Sequence, residues 1–185
     1  IPVLASDYHQ DAGGVHIEGS YELLMSDDIR WGNLNQPDVA VDPESRRNLL
    51  FVKQAYMRLA QALVNRNQND SAIAVLDKCQ EFFPNEKIPY DLYMLAYPEI
   101  YYQAGAIEKG DELINKIIDN CLDDLRYYES LDTKFISYYG ENIRENLAMI
   151  NEMSNVAARA KRTELKMQLD NMLNQEFEKF YMHFE

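Results

Sequence analysis

The stretch KQAYMRLAQALVNRNQNDSAIAVLDKCQEFFPNE, residues 53–86, decides the fold of this chain. It contains two apolar patterns at helical spacing, separated by the turn-forming residues 67–69. The first pattern comprises Tyr56, Leu59, Ala60 and Leu63, and the second comprises Ala72, Leu76 and Cys79 before Pro84. Small residues allow two helices to approach closely, while large ones fill the flanking grooves. The stretch therefore predicts a pair of antiparallel helices.

The order of large and small residues in this pair matches the 34-residue tetratricopeptide (TPR) pattern. Asp42 is a good N-cap and Pro43 suits the first helical position, so the first helix begins there and runs to about Arg66. Asp70 is expected to cap the second helix, which ends at Phe83-Pro84.

A second, more degenerate copy of the pattern follows. Tyr97, Tyr101, Gly110, Ile114 and Ile117 take the positions of Leu59, Leu63, Ala72, Leu76 and Cys79, an offset of 38 residues. Pro98 predicts a kink or a helix start nearby, and Ala104-Gly105 closes the first helix of this copy.

Two further apolar stripes after Asp132 predict a third hairpin whose second helix caps the stack. One stripe comprises Ile143, Leu147, Ile150 and Met153, and the other comprises Leu165, Leu169, Met172, Leu173, Phe177 and Phe180. Helical repeats need about three units to bury their faces. We therefore expect an all-α, TPR-like α–α superhelix of about three helical hairpins over residues 43–185.

Residues 1–42 lack helical periodicity and predict an irregular N-terminal arm. Gly13-Gly14 is expected to join two short strands, residues 1–4 and residues 15–17. Residues 21–25 predict a short helical segment.

The composition excludes several function classes. A formal net charge of -13 argues against binding to nucleic acids or anionic membrane surfaces. No apolar run reaches the roughly 18 residues that would span a bilayer, so direct membrane insertion is not expected. Cys79 and Cys121 are too few for a disulfide framework, and Cys79 takes a small-residue packing position.

Few side chains are placed for chemistry. Asp7-x-His9-x-Asp11 and His16-x-Glu18 would put imidazoles and carboxylates on one side of a strand, where they could bind zinc. A polar, exposed strand or a mobile arm is the favoured alternative. The pairs Asp27-Asp28 and Asp123-Asp124 are best explained as solvated faces, because adjacent helical side chains diverge. We therefore predict no catalytic residue, metal or cofactor, and no enzyme activity for this chain.

The candidate partner-binding residues lie on the predicted concave groove: Met57, Gln61, Val64, Glu99 and Tyr102. Some helical repeats grip a carboxylate with Lys and Asn at groove positions that here hold Met57, Gln61, Leu95 and Glu99. Glu99 would repel a carboxylate, so that ligand class is disfavoured. Tyrosines crowd positions 90–102 and recur at 127, 128, 138 and 139. Such aromatic residues serve both as core and as interface anchors.

Three stretches carry a resemblance to a known family. They are Trp31-Gly32-Asn33-Leu34 with Pro37-Asp38-Val39, residues 83–90 (FPNEKIPY), and residues 101–105 (YYQAG). Their succession resembles the C-terminal extramembrane region of multi-pass membrane proteins of unknown function from Bacteroidetes, which are related to protein O-mannosyltransferases. The resemblance covers essentially the whole chain.

The resemblance implies that this region follows a membrane-embedded module that transfers sugar from a lipid carrier, and that it lies on the periplasmic side of the inner membrane. The catalytic residues of such enzymes belong to the membrane part, so none is assigned to this chain. We expect a non-catalytic interaction or scaffolding domain whose partner is a protein or its own membrane module. The alternatives are an accessory domain that handles glycan or acceptor directly, and a purely structural cap.

Overall fold

The computed structural model describes residues 9–10, 13–29, 31–36 and 38–181. Within these residues the protein is all-α, apart from a two-residue antiparallel pair, β1 (His9–Gln10) with β2 (Gly13–Gly14). The helices are α1 (Ile17–Leu24), α2 (Pro43–Asn65), α3 (Asn69–Phe82), α4 (Tyr97–Gln103), α5 (Ile107–Glu129), α6 (Thr133–Ile136), α7 (Gly140–Arg159) and α8 (Thr163–Phe180). One-turn 3₁₀ helices cover Leu92–Met94 and Ser137–Tyr139. None of the described helices is both long and apolar enough to cross a membrane.

The chain forms two compact units. The first comprises the described residues up to Pro89 together with Ile100–Ile107, and the second comprises Tyr90–Glu99 and the described residues from Glu108 onward. The division falls inside the predicted helical region, and the described part of the arm belongs to the first unit.

The ends of α2 follow the sequence signals, whereas the start of α3 does not. The Asp42 carboxylate accepts hydrogen bonds from the backbone N–H groups of Glu44 and Ser45, each at 3.0 Å, and Pro43 opens the helix. The prediction that Asp70 caps α3 is wrong: the N-cap is Gln68, which makes no side-chain capping bond. Asp70 lies in the first turn instead, where a negative charge complements the helix dipole.

Helices α2 and α3 pack against each other through the predicted residues. Ala60 and Ala72 are fully buried, as are Tyr56, Leu59 and Leu76. Because neither alanine projects beyond its Cβ, the two backbones approach closely and the larger side chains interlock on either side. Cys79 is buried in the same pair as a free thiol, in agreement with its predicted packing role.

One backbone turn recurs at three helix connections. Asn67, Gly105 and Lys161 adopt left-handed φ angles of 58°, 86° and 59°. In each turn the next residue donates its N–H to a carbonyl five residues back: Gln68 to Leu63 (2.9 Å), Ala106 to Tyr101 (2.9 Å) and Arg162 to Ala157 (2.8 Å). This closure satisfies carbonyls that a helix end leaves unpaired. The turn therefore recurs at the α2–α3, α4–α5 and α7–α8 connections.

The predictions for α4 agree with the structure. Pro98 lies in the first turn of α4, where a missing N–H is tolerated, and Gly105 closes the helix. Tyr97 and Tyr101 are buried. The Tyr101 hydroxyl joins α4 to α3 within the first unit, since it donates to Asp77 at 2.8 Å and accepts from Gln80 at 2.6 Å.

In the α7–α8 pair, the predicted apolar stripe is buried on α7 but only partly buried on α8. The four residues of the first stripe, Ile143, Leu147, Ile150 and Met153, are buried. Of the second stripe only Leu169 and Phe180 are buried, while Met172 and Phe177 remain 37% and 44% exposed. The expectation that this stripe is hidden is therefore wrong for much of α8. Periodicity locates an apolar face but does not show that another element covers it.

The described part of the arm packs on α2. Tyr56 donates its hydroxyl proton to the carbonyl of Leu24 at 2.9 Å, which satisfies an acceptor at the end of α1. Burial raises the pKa of Tyr56 to about 12, so this donor keeps its proton at neutral pH. Arg66 also pairs with Glu18 at 2.7 Å.

The predicted hairpin of the arm is present in a different register. Gly13 and Gly14 form the second strand rather than the turn, and Ile17 begins α1 rather than ending a strand. Residues 1–4, the predicted first strand, lie outside the described residues. The helical segment predicted at residues 21–25 is confirmed, because α1 continues to Leu24.

Leu76→Ala should lower the free energy of unfolding by about 2–5 kcal/mol, because it opens a cavity at a fully buried position between α2 and α3. Chemical denaturation followed by circular dichroism measures this change. Leu23→Ala is the matched control in α1, since Leu23 is 61% exposed. Equal stability of the two variants would show that Leu76 does not hold the helix pair together.

Candidate interaction surface

The predicted groove residues are divided between the two units. Met57, Gln61 and Val64 lie half-buried on α2, and we call them the α2 face. Tyr102 is half-buried on α4 in the first unit, whereas Glu99 belongs to the second unit. We therefore describe the surroundings of each group within its own unit.

The contacts of the described part of the arm with α2 involve residues next to the α2 face. The arm contacts α2 through Tyr56 and Arg66, and Leu63 lines a cavity with α1. Successive helical residues are about 100° apart around the axis. Met57 follows Tyr56 and Val64 follows Leu63. Each therefore lies about 100° around the helix axis from a residue that faces the arm.

The α2 face is chemically neutral. Its amide, Gln61, donates to the side-chain carbonyl of Gln103 on α4 at 2.9 Å and lies 3.3 Å from the side-chain oxygen of Asn65. Met57 supplies a flexible thioether, and Val64 supplies a rigid branched side chain. Such a strip can bury apolar side chains of a partner and exchange amide hydrogen bonds with its backbone. No residue of this strip titrates near neutral pH.

Glu99 is bound by a cation that the sequence pattern did not identify. The guanidinium of Arg159 on α7 donates to both carboxylate oxygens of Glu99, at 3.1 and 2.9 Å, and also to Glu152 at 2.9 Å. These hydrogen bonds raise the pKa of Arg159, which stays charged. The predicted repulsion of an anionic ligand by Glu99 is therefore partly neutralised. The partners are 60 residues apart, so no local pattern pairs them.

A second candidate site lies in the arm. A cavity of about 460 Å³ is lined by residues 29 and 31–36 and by Phe82 of α3. The Trp31 ring packs edge-on against Phe83, with ring centroids 5.5 Å apart, and the cavity carries the amides of Asn33, Asn35 and Gln36. An indole beside several amides can contact neutral polar ligands. Trp31 belongs to the stretch quoted for the family resemblance, but its surroundings do not follow from spacing.

His16, one of the residues considered as a zinc ligand, has a structural role. The ring nitrogen Nδ1 of His16 accepts a hydrogen bond from the N–H of Gly19 at 3.1 Å and so caps α1. A Cβ at position 19 would lie 2.7 Å from that nitrogen. Among the described residues, no group of three histidine, cysteine, aspartate or glutamate side chains is arranged to hold a metal. Asp7 and Asp11 lie outside the described residues, so their pattern is not tested.

An aromatic cluster lies in the second unit, and we call Tyr127, Tyr128, Tyr138 and Tyr139 the tyrosine cluster. Tyr139 contacts the other three, with ring centroids 6.5, 5.1 and 5.2 Å from Tyr127, Tyr128 and Tyr138 respectively. Tyr128 is buried, but Tyr127 is 55% exposed and Tyr138 is 81% exposed. The sequence showed that tyrosines recur here, but not which of them face solvent.

Asp124 lies beside this cluster, on the exposed surface of α5. It precedes Tyr127 and Tyr128 by three and four residues on α5, and so shares their face. Partial burial raises the pKa of its carboxyl, a hydrogen bond from Asn146 lowers it in part, and the adjacent Asp123 raises it again. Burial and the Asp124 charge also raise the pKa of Tyr128.

Comparison of the chain with protein-family models, with curated proteins and with solved structures finds no match.

Asp124→Asn should raise the melting temperature at pH 7 and give no gain below about pH 3. A carboxyl whose folded-state pKa is raised stabilises the fold only while protonated, so its contribution is lost as the pH rises through that pKa. Thermal unfolding from pH 2.5 to 8 measures the effect. Asp28→Asn, at an exposed position of the first unit, is the control for the loss of one negative charge elsewhere on the chain. An Asp124→Asn variant that is destabilised at pH 7 would contradict the raised pKa of Asp124.

Proposed function

We propose that this chain is a non-catalytic, TPR-like interaction domain that binds a protein segment along the α2 face. The observation that carries the proposal is the α2–α3 pair. Ala60 and Ala72 are fully buried at the predicted positions, while Met57, Gln61 and Val64 of the same helix keep part of their surface in solvent. The core pattern thus explains which residues of α2 pack inside and leaves a neighbouring strip available.

The chemistry of the strip favours a polypeptide partner. Apolar side chains next to a single amide suit alternating contacts with side chains and backbone. A ligand held mainly by its charge would need a complementary charge, which the α2 face does not offer. The recurring turn at Asn67, Gly105 and Lys161 supports the assignment to a helical-repeat architecture.

The sequence resemblance supports the setting that we propose. In that setting the chain is the extramembrane C-terminal region of a glycosyltransferase-like membrane protein, on the periplasmic side of the inner membrane. Its partner is then a protein substrate, another protein, or the membrane module of the same polypeptide. The chain itself carries out no reaction and needs no cofactor.

A second candidate function is the direct handling of glycan or acceptor by the arm. The cavity of about 460 Å³ favours it, because Trp31 and three residues with amide side chains line it. Aromatic faces and amides are the groups that contact sugar rings and hydroxyls. This function would use a different surface from the α2 face, so the two candidates can be separated.

A photo-crosslinking amino acid at Met57 or Val64 of the full-length parent protein, in native membranes, should capture one discrete polypeptide. The same probe at Phe51 is the control, because Phe51 lies on another side of α2 and is 72% exposed. Mass spectrometry of the product identifies the partner or the membrane module. Equal products from all three positions, or none from Met57 and Val64, would contradict binding at the α2 face. Deleting residues 43–185 from the parent protein should leave sugar transfer to a small acceptor intact. Loss of this transfer activity would favour direct handling of glycan or acceptor by the chain.

The single tryptophan provides a direct test of the second candidate. We expect the fluorescence of Trp31 to show no saturable change when a neutral hexose trisaccharide is added to the full chain. A saturable change that is lost in Asn35→Ala would replace the leading proposal with glycan handling, because Asn35 is an exposed residue of the cavity wall. Tyr138→Ala is the matched control for this titration.

A further inference from the structure

The tyrosine cluster combines a buried ring with rings that are largely exposed to solvent. Tyr128 anchors it in the core, and Tyr139 stacks on Tyr128 with an interplanar angle of 29°. Tyr138 then meets Tyr139 edge-on, at 86°, and is 81% exposed. The outer ring is thus supported by a ring-on-ring stack that leads to the core. The Tyr138 ring is exposed to solvent and supported by its neighbours, as the aromatic anchors of interfaces are.

The surroundings of the cluster are acidic. Between Asp119 and Glu145 there are seven carboxylates and three basic side chains, a formal charge of -4, and Lys179 of α8 pairs with one of these carboxylates, Glu129. All three cations are engaged locally: Arg126 with Asp123, Arg144 with Glu141, and Lys134 with Asp132. Asp124 and Glu145 make no ion pair within the described residues, and both lie close enough to Tyr128 to raise its pKa.

A contact of the kind that a cation would make occurs three residues before Tyr138 in the chain. The ammonium group of Lys134 lies 4.8 Å from the centroid of the Phe135 ring, and Phe135 is 48% exposed. Ring faces attract cations through their quadrupole, and tyrosine is a better acceptor than phenylalanine. Arginine is the cation best suited to such a site, because its planar guanidinium can stack on a ring and pair with a carboxylate at the same time.

We propose that the tyrosine cluster binds an arginine-rich segment of a partner protein. Guanidinium groups stack on Tyr127 and Tyr138, and they pair with Asp124 and Glu145. Charge complementarity selects this occupant. A second copy of a chain with net charge -13 would bring like charges together, and a neutral sugar would leave the surplus of carboxylates unused. The site lies wholly in the second unit and does not depend on binding at the α2 face.

The test is fluorescence anisotropy of a labelled peptide with the sequence (Arg-Gly-Ser)₄, titrated with the full chain at low salt and at about 150 mM salt. We expect saturable binding that weakens with salt. Tyr127→Ala with Tyr138→Ala should weaken it by about fivefold to thirtyfold, because two exposed cation–π contacts are lost with no change in charge. Asp124→Asn with Glu145→Gln should weaken it and reduce its salt dependence.

Matched controls separate this site from diffuse attraction to an acidic protein. Phe51→Ala removes an exposed ring from the first unit, and Asp28→Asn with Glu81→Gln removes two exposed carboxylates there, so both should bind as the unsubstituted chain does. The (Glu-Gly-Ser)₄ peptide should not bind. Undiminished binding by the double tyrosine variant would overturn the proposal. So would the absence of peptide binding together with saturable, Tyr138-dependent binding of a neutral trisaccharide.

Discussion

Close approach of two helices at Ala60 and Ala72 is the constraint on which the first unit depends. Both residues are fully buried, and a larger side chain at either position would separate α2 from α3. The separation fixes where the outer elements can attach. The arm attaches through the Tyr56 hydroxyl on α2, and α4 attaches through the Tyr101 hydroxyl on α3. The Tyr56 hydroxyl satisfies one partner group and the Tyr101 hydroxyl satisfies two, so small changes in helix spacing would break bonds that connect separate elements.

The α2–α3 and α7–α8 pairs are joined by the same type of turn but differ in the residues at their interface. Counted from the recurring turn, Ser154 and Asp170 take the positions that Ala60 and Leu76 hold in the first pair. The Ser154 hydroxyl donates to the Asp170 carboxylate at 2.5 Å, and Lys166 pairs with the same carboxylate. A hydrogen bond thus replaces an apolar contact there. Asp170 keeps part of its surface in solvent, and α8 also exposes Met172 and Phe177.

Several features of the fold that depend on neighbouring residues were predictable from the sequence, whereas the ion pairs between distant residues were not. Local signals also failed twice, because Gln68 rather than Asp70 precedes α3 and Gly13-Gly14 form a strand rather than a turn. The Asp42 cap, the turn at Asn67 and the buried stripe from Ile143 to Met153 each need only a few residues of chain. The Arg159–Glu99 pair spans 60 residues and the Arg66–Glu18 pair spans 48. Lys53 is 1% exposed although lysine normally lies at the surface. The candidate surfaces were predictable only as residue types. Which tyrosines face solvent, and which cation holds Glu99, depends on tertiary packing.

The two candidate surfaces rest on different physics, and this difference decides how a partner would use them. Binding at the α2 face depends on burying Met57 and Val64, which salt hardly affects. Binding at the tyrosine cluster depends on exposed cation–π contacts of about 0.5–1 kcal/mol each and on carboxylates that salt screens. A single arginine would therefore bind too weakly to matter, and only a segment with several arginines could engage Tyr127, Tyr138 and their acidic neighbours together. A surface of this kind adds attraction and orientation to a complex, whereas the α2 face supplies the apolar burial from which lasting affinity comes.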